Sequence, residues 1–372
     1  LLFFLYAYFI FNTFNSLNIN LSFNRNFGFI RLIIFFIGIN YFFYDRKFQK
    51  IFFFWFLIII LVIFDIIFER YTGSNIIGYN SIGNRIVSFF KDEAIPGGFI
   101  HSFTFLLAGY ILMNNNKKFK KYSFLIALSF ILIAFFSVII TGERSNSIKF
   151  ILSLIIFFIL FDKISFKIKI ILFIGFIFTF YLAVTNNDFL KNLMFYSIQY
   201  SAKTFNSSFI HGKPWDNPSG NLYAKLYRSG YDVFRNYPYF GVGNKNYRIE
   251  SCQNKQYILN IHKLTNDYVC MTHPHQIYFE LLSEHGLLGT IIILSIYFFL
   301  IFKVIKKVLL EKNYIGIGCL AYLIPVFTPI LPSGSFFSDY NSTLFFINLS
   351  MLYATSKNIN IFKKNKNEYQ FS

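Results

Sequence analysis

Between Cys270 and Gly289 the chain reads Cys-Met-Thr-His-Pro-His-Gln-Ile-Tyr-Phe-Glu-Leu-Leu-Ser-Glu-His-Gly-Leu-Leu-Gly. Three histidines, two glutamates and a cysteine gather at the mouth of a strongly apolar run. Such a cluster implies chemistry or a polar ligand. Histidine is the side chain whose ordinary pKa, about 6.5, suits it to take a proton from a hydroxyl near neutral pH. His273 precedes Pro274, which biases it toward extended backbone. Glu284 lies nine residues past His275, about half a turn out of phase on a continuing helix, and Glu280 lies five past it. Neither is taken as the group that orients that histidine.

The elements that must position this cluster are membrane spans. Hydrophobic residues make up 55% of the 372 and charged residues 14%, against roughly 25% charged in a soluble domain. A spanning helix needs about 20 mostly apolar residues. Stretches of that kind run over 1–12, 27–44, 51–68, 97–113, 122–140, 148–161, 168–184, 287–302, 314–331 and 343–354, which predicts an all-α polytopic bundle of about ten spans. The chain opens inside an apolar run with no basic segment and no cleavage site, which reads as a truncated first span rather than a signal peptide. Arg31 and Lys149 lie near span ends, where long side chains snorkel.

Orientation follows from the short loops. Segments 45–50, 114–121, 162–169, 303–313 and the tail from 357 hold 18 of the 35 Lys and Arg residues and alternate along the chain. The positive-inside rule makes them cytoplasmic and every other loop external. The predicted organisation is seven spans over 1–184, a large external loop over 185–285, three spans over 286–356 and a cytoplasmic tail over 357–372. The formal charge of +18 is dispersed over membrane-flanking loops and is no nucleic-acid signature. Within the large loop, 222–236 has apolar and aromatic residues at helical spacing, closed by Pro238 and the Gly241-Val242-Gly243 turn.

Cys319 sits in a span and reads as packing. Cys252 and Cys270 lie eighteen residues apart in the external loop, where a disulfide would tether the histidine cluster. Two free thiols are one alternative. The other is a metal site of Cys270, His273 and His275, which lacks a complete ligand set at familiar spacing.

His275-Gln276, nine residues and then Gly286 resemble the His-[Asn/Ser/Gln]-X9-Gly signature of the O-antigen ligase and O-antigen polymerase family. Pro238-Tyr-Phe-Gly-Val-Gly243 is similar to that family's Pro-x-x-Gly-x-Gly segment. Glu284-His-Gly-Leu-Leu-Gly289 resembles its Glu-x-Gly-x-x-Gly entry to the following span, and Thr141-Gly-Glu-Arg144 its outer Thr-Gly-x-Arg turn. Asn84-Arg85-Ile86, with Asp92-Glu93 and Gly97-Gly98, resembles an outer segment of polymerase-like members. Gln276 stands where Asn is commoner.

The resemblance implies a membrane glycosyltransferase that moves an undecaprenyl-diphosphate-linked glycan to an acceptor hydroxyl. It further implies the periplasmic face of the bacterial inner membrane and a role in lipopolysaccharide or other surface-polysaccharide assembly. The acceptor would be a growing glycan, lipid A core or a protein. The leaving group is a lipid diphosphate. Guanidinium groups suit it because they stay protonated and bond phosphate oxygens bidentately. Arg144, alone in a short loop, and Arg85 take that role. His275, which carries the motif, is the expected base, with His273 a supporting partner and His285 a cap or snorkelling group at the span start. Arg228, Arg235 and Arg248 are further candidates for glycan or phosphate contacts. The diphosphate is itself a good leaving group, so neither metal nor cofactor is called for. A lipid-linked glycan flippase is one rival, but it wants ionisable residues at mid-membrane depth. A non-catalytic polysaccharide-assembly protein is the other, and it needs no arginine–histidine set.

Overall fold

In lipid the backbone must satisfy its own polar groups, and runs rich in Phe, Ile and Leu do so as helices. The computed structural model describes residues 1–45, 49–83, 85–113, 121–185, 188–192, 199, 222–253, 270–356 and 358–363. Among these, every named element is helical. The elements are α1 (Leu2–Phe14), α2 (Ile19–Gly28), α3 (Ile30–Asp45), α4 (Gln49–Thr72), α5 (Pro96–Met113), α6 (Ser123–Ile140), α7 (Arg144–Leu160) and α8 (Phe166–Thr185). They continue as α9 (Leu222–Asn236), α10 (Tyr247–Gln253), α11 (Ile277–Leu310), α12 (Tyr314–Val326) and α13 (Asp339–Ala354).

Five segments among the described residues are long and apolar enough to cross a membrane: Ile19–Tyr44, Lys50–Thr72, Pro96–Met113, Ser123–Ile140 and Ile277–Leu310. Ten were expected from the apolar stretches. Four of the other five expected stretches form shorter helices, while the fifth, in α8, has 20 residues. Helices α1, α7, α12 and α13 have 13, 17, 13 and 16 residues, fewer than the roughly 20 of a full span. Most of the expected external loop over 185–221 and 254–269, Asn84, and the lysine-rich segments at 114–120 and 364–372 lie outside the described residues.

The chain divides into two units. The first comprises Leu1–Ile34, Phe195–Leu300 and Phe327–Thr343, the second Phe35–Met194, Ile301–Val326 and Leu344–Ser372.

The second unit is built on α4 to α8 and α12. Its core is aromatic: Phe105 meets Phe150 and Phe157 at ring separations of 4.9 and 5.6 Å, and Phe135 meets Phe150 at 5.3 Å. Loops assigned to one membrane face meet at one end of this unit. Lys312 pairs with Asp162 at 3.1 Å, the Tyr314 hydroxyl donates to Asp162 at 2.9 Å, and Ser356 donates to Glu311 at 2.5 Å. At the other end Asp65 and Glu69, both fully buried, hold the 73–90 loop. Asp65 accepts from the Ile76 amide and the Ser88 hydroxyl; Glu69 accepts from the Ser81 hydroxyl and the Val87 and Ser88 amides. Lys149, expected to snorkel, is instead only 9% exposed, on the inward face of α7. Cys319 is a buried free thiol, as packing requires.

In the first unit α1 and α2 join the 242–246 segment through a buried amide network. Asn244 donates to the Asn26 carbonyl oxygen (2.7 Å), its own amide donates to Asn12 (3.0 Å), and Asn246 donates to Ser22 (2.7 Å). Asn26 in turn donates to Thr13 and to the Phe9 carbonyl. Buried amides are tolerable only when paired, so the network fixes where α1 and α2 lie against this segment.

Candidate active site

The expected histidine segment is built around a break in α11. Gly286 has φ 64° and ψ −171°, a region open essentially to glycine alone. The break exposes the helix's own polar groups, and the 238–243 turn takes them up on both sides. The Val242 and Gly243 amides donate to the Ser283 and Glu284 carbonyls, each at 2.9 Å. In return, the Leu287 and Leu288 amides donate to the Pro238 and Tyr239 carbonyls at 2.8 and 3.2 Å. The two chains approach so closely that a Cβ on Gly286 would meet the backbone of Tyr239 and Phe240, and one on Gly241 the backbone of Glu284 and His285. Two motifs that stand 32 residues apart in sequence are thus one spliced structure, and α11 begins ten residues before the span start expected at Leu287.

His275 sits just before this helix, in left-handed backbone (φ 55°), a conformation uncommon outside glycine. Three bonds fix the corner. The Ser333 amide donates to the His275 carbonyl at 2.8 Å, the Gln276 side chain accepts from the Phe279 amide at 2.9 Å, and the Gln276 carbonyl accepts from the Glu280 amide. Gln276 thereby caps the helix, a role its Asn counterpart could also fill. The His275 ring lies 4.0 Å from that of His273 and 6.3 Å, edge-on, from that of Tyr223 on α9. Burial, with help from His275 and Lys245, pushes the His273 pKa down to about 3, so His273 is a neutral imidazole at working pH. Cys252 on α10 and Cys270 are joined by a disulfide, which ties the segment leading into His273 to the body of the unit.

His285 differs from its expected place. It is fully buried, beside Tyr8 of α1 (hydroxyl to Nδ1, 3.4 Å) and between the rings of Phe9 and Phe337. The kink turns it into the core instead of leaving it to cap or snorkel.

A charge cluster that the sequence does not announce lies on the same splice. Glu280 is fully buried and accepts from the Ser335 hydroxyl (2.5 Å) and the Phe336 amide (2.8 Å). Lys245, also left-handed at φ 66°, donates to Ser335 at 3.2 Å and stands in the field of Glu280, Glu284, Arg25 and Arg248. Its pKa is held below the ordinary lysine value, chiefly by burial. Glu280 and Glu284, one turn apart on α11, share a face that the break aims at Lys245. No pattern local to 277–289 could have identified Lys245, which comes from the other side of the splice.

The three loop arginines separate. Arg228 is bonded to Asp232 at 2.8 Å, and Arg235 approaches the same carboxylate at 3.9 Å. Arg248 draws no ion pair among the described residues, and its Nε is buried without an acceptor there. Asp339 at the start of α13 pairs with Arg25 at 2.6 Å and with Arg31.

The other two expected arginines belong to the second unit. Arg144 opens α7, directly after Glu143, and Arg85 stands in the loop held by Asp65 and Glu69. The Ile86 amide donates to the Thr141 carbonyl at 3.2 Å, so the two arginine-bearing turns are neighbours. Arg85 lies in the field of Glu143 and makes no salt bridge with the nearby Asp92 or Glu93 among the described residues. Glu143 is 4% exposed and accepts from the Gly97 and Gly98 amides at the start of α5 and from Asn146. Burial outweighs these bonds and pushes its pKa up from 4.5 to about 7. Among the described residues no group of His, Cys, Asp and Glu has the arrangement of a metal site.

Residues 128–294 match the family model described as O-antigen ligase. The matched stretch includes Arg144, the 238–243 turn, His275 and Gly286. No curated protein matches the chain.

Proposed function

From the premise that the chain carries an O-antigen ligase family segment over residues 128–294, we propose that it transfers or polymerises a surface-polysaccharide glycan. The donor is undecaprenyl-diphosphate-linked and the acceptor is a hydroxyl of a glycan, lipid A core or protein. Arg144 and Arg85 bind the diphosphate through bidentate, charge-assisted bonds. His275 takes the proton from the acceptor hydroxyl, and His273 supports it. Arg228, Arg235 and Arg248 contact glycan or phosphate. The leaving group departs as the lipid diphosphate, so the step needs no metal. The protein is a ten-span inner-membrane enzyme working on the periplasmic face.

The build of the 273–289 segment carries this proposal. Its histidine pair is set by a left-handed corner, a helix cap, a disulfide and a glycine splice, more fixing than a surface loop needs. Neutral His273 suits a supporting role beside a base. The test is transfer from lipid-linked glycan in membranes containing wild type, Arg144→Ala, Arg85→Ala or His275→Ala. Loss of the base costs about 10²- to 10⁴-fold, and loss of a phosphate clamp a comparable factor, while membrane insertion and yield stay at the wild-type level. Full activity in both Arg144→Ala and His275→Ala would overturn the assignment.

A further inference from the structure

Arginine carries its charge at every working pH, so a buried guanidinium N–H without an acceptor needs something to complete it. Arg248 of α10 has such an Nε among the described residues, and the side chain as a whole is half-buried rather than sealed. It adds to the positive field at Lys245 and at His273. Lys245 spends one hydrogen bond on Ser335, and its backbone is left-handed. Glu284 stands in the field of Lys245, with its Oε2 buried and without a hydrogen-bond partner among the described residues. Glu280 is taken by Ser335 and Phe336, whereas Arg228 and Arg235 already share Asp232.

We propose that Arg248 and Lys245 form a binding site for an oxyanion, a phosphate or a carboxylate, on the His273 side of the histidine pair. Arg248 is the direct contact, with Nε and one terminal nitrogen presenting a fork to two oxygens. Lys245 adds a point charge. Of the three loop arginines, Arg248 is the one whose Nε is buried without an acceptor among the described residues; Arg228 and Arg235 pair with Asp232. The site rests on the glycan-transfer proposal for its setting. It adds that the substrate bears an anionic group on the histidine side, either the lipid diphosphate or an acidic sugar of the glycan.

The experiment measures direct binding apart from transfer. The full chain, purified in detergent, is titrated with farnesyl diphosphate and, separately, with glucuronate, and the thermal unfolding midpoint is followed. Wild type should be stabilised by one of the two. Arg248→Gln should bind that probe about ten- to hundredfold more weakly, the loss of one charge-assisted contact. Arg248→Lys keeps the charge without the fork and should fall between. Stabilisation by farnesyl diphosphate assigns the site to the lipid diphosphate; stabilisation by glucuronate assigns it to an acidic glycan. Unchanged affinity in Arg248→Gln, or no binding of either probe by wild type, overturns the site. A variant that no longer binds the probe but still transfers glycan at the wild-type rate overturns its place in the reaction and leaves the roles of His275 and Arg144 standing. Should Arg248→Gln fail to fold, the comparison of Arg248→Lys and Lys245→Met with wild type decides the same question.

Discussion

At the scale of single residues, backbone freedom and burial set the strongest expectations. Gly286 occupies a conformation closed to other residues, and an added Cβ would run into Tyr239 and Phe240. Gly286→Ala should therefore destabilise the first unit by at least about 2 kcal/mol, read as a lower unfolding temperature, with transfer lost as the helix start shifts. Glu143 offers a pH dependence. Its carboxyl titrates near 7 in the folded chain and at 4.5 ordinarily, so the folded state holds the proton more tightly than the unfolded state. The stabilisation is full below about pH 4.5 and is lost as pH rises through 7. Across that window it amounts to about 3 kcal/mol. The difference in unfolding temperature between wild type and Glu143→Gln should shift in this direction between pH 5 and pH 8. A flat difference would show that Glu143 is ionised throughout.

At the scale of elements, the helices themselves were legible and their joints were not. The stripe over 222–236 gives α9 with the same bounds, because apolar spacing alone decides an amphipathic helix. The start of α11 was misplaced because Glu280, Glu284 and His285 look like residues outside a span. They are helical and buried because their partners come from elsewhere in the chain, Ser335 and Phe336 for Glu280, Tyr8 for His285 and the 238–243 turn for the backbone at Glu284, and no local pattern carries that pairing. The same holds for Lys245, whose importance appears only when Glu280 and Ser335 are brought to it. The disulfide is a joint of a second kind. It closes a separation of 18 residues, and in the chain-entropy picture a loop of that size is worth about 3 kcal/mol. Reduction, or a Cys252→Ser/Cys270→Ser double variant, should lower the unfolding temperature of the purified protein. It should also cut transfer, because the lead into His273 loses its tether. Unchanged stability on reduction would mean that the amide network and the splice hold the segment without it.

At the scale of the whole molecule, composition was enough to require membrane helices, and hydropathy located them. Five of the ten expected spans have a helix long and apolar enough to cross a membrane among the described residues; an apolar helix of 13 residues such as α1 measures about 20 Å. The loops over 162–169 and 303–313, grouped by their lysines alone, are joined in the second unit by Lys312 and Asp162. The loops over 73–90 and 141–144, grouped together by exclusion, are joined at its other end by Ile86 and Thr141. Lysines stay on the side where translocation leaves them, so this agreement makes a labelling prediction sharp. Cys319 is buried and Cys252 and Cys270 are paired, so an introduced cysteine should be the reactive one. Ile82→Cys, at a position 48% exposed, should react with a membrane-impermeant maleimide in intact cells whose outer barrier is opened. Lys306→Cys should react only after the inner membrane is permeabilised. Labelling of both in intact cells would overturn the assignment of the two positions to opposite faces, and labelling of Lys306→Cys alone would reverse the orientation. It would also place Arg85 and Arg144 on the face away from the proposed chemistry.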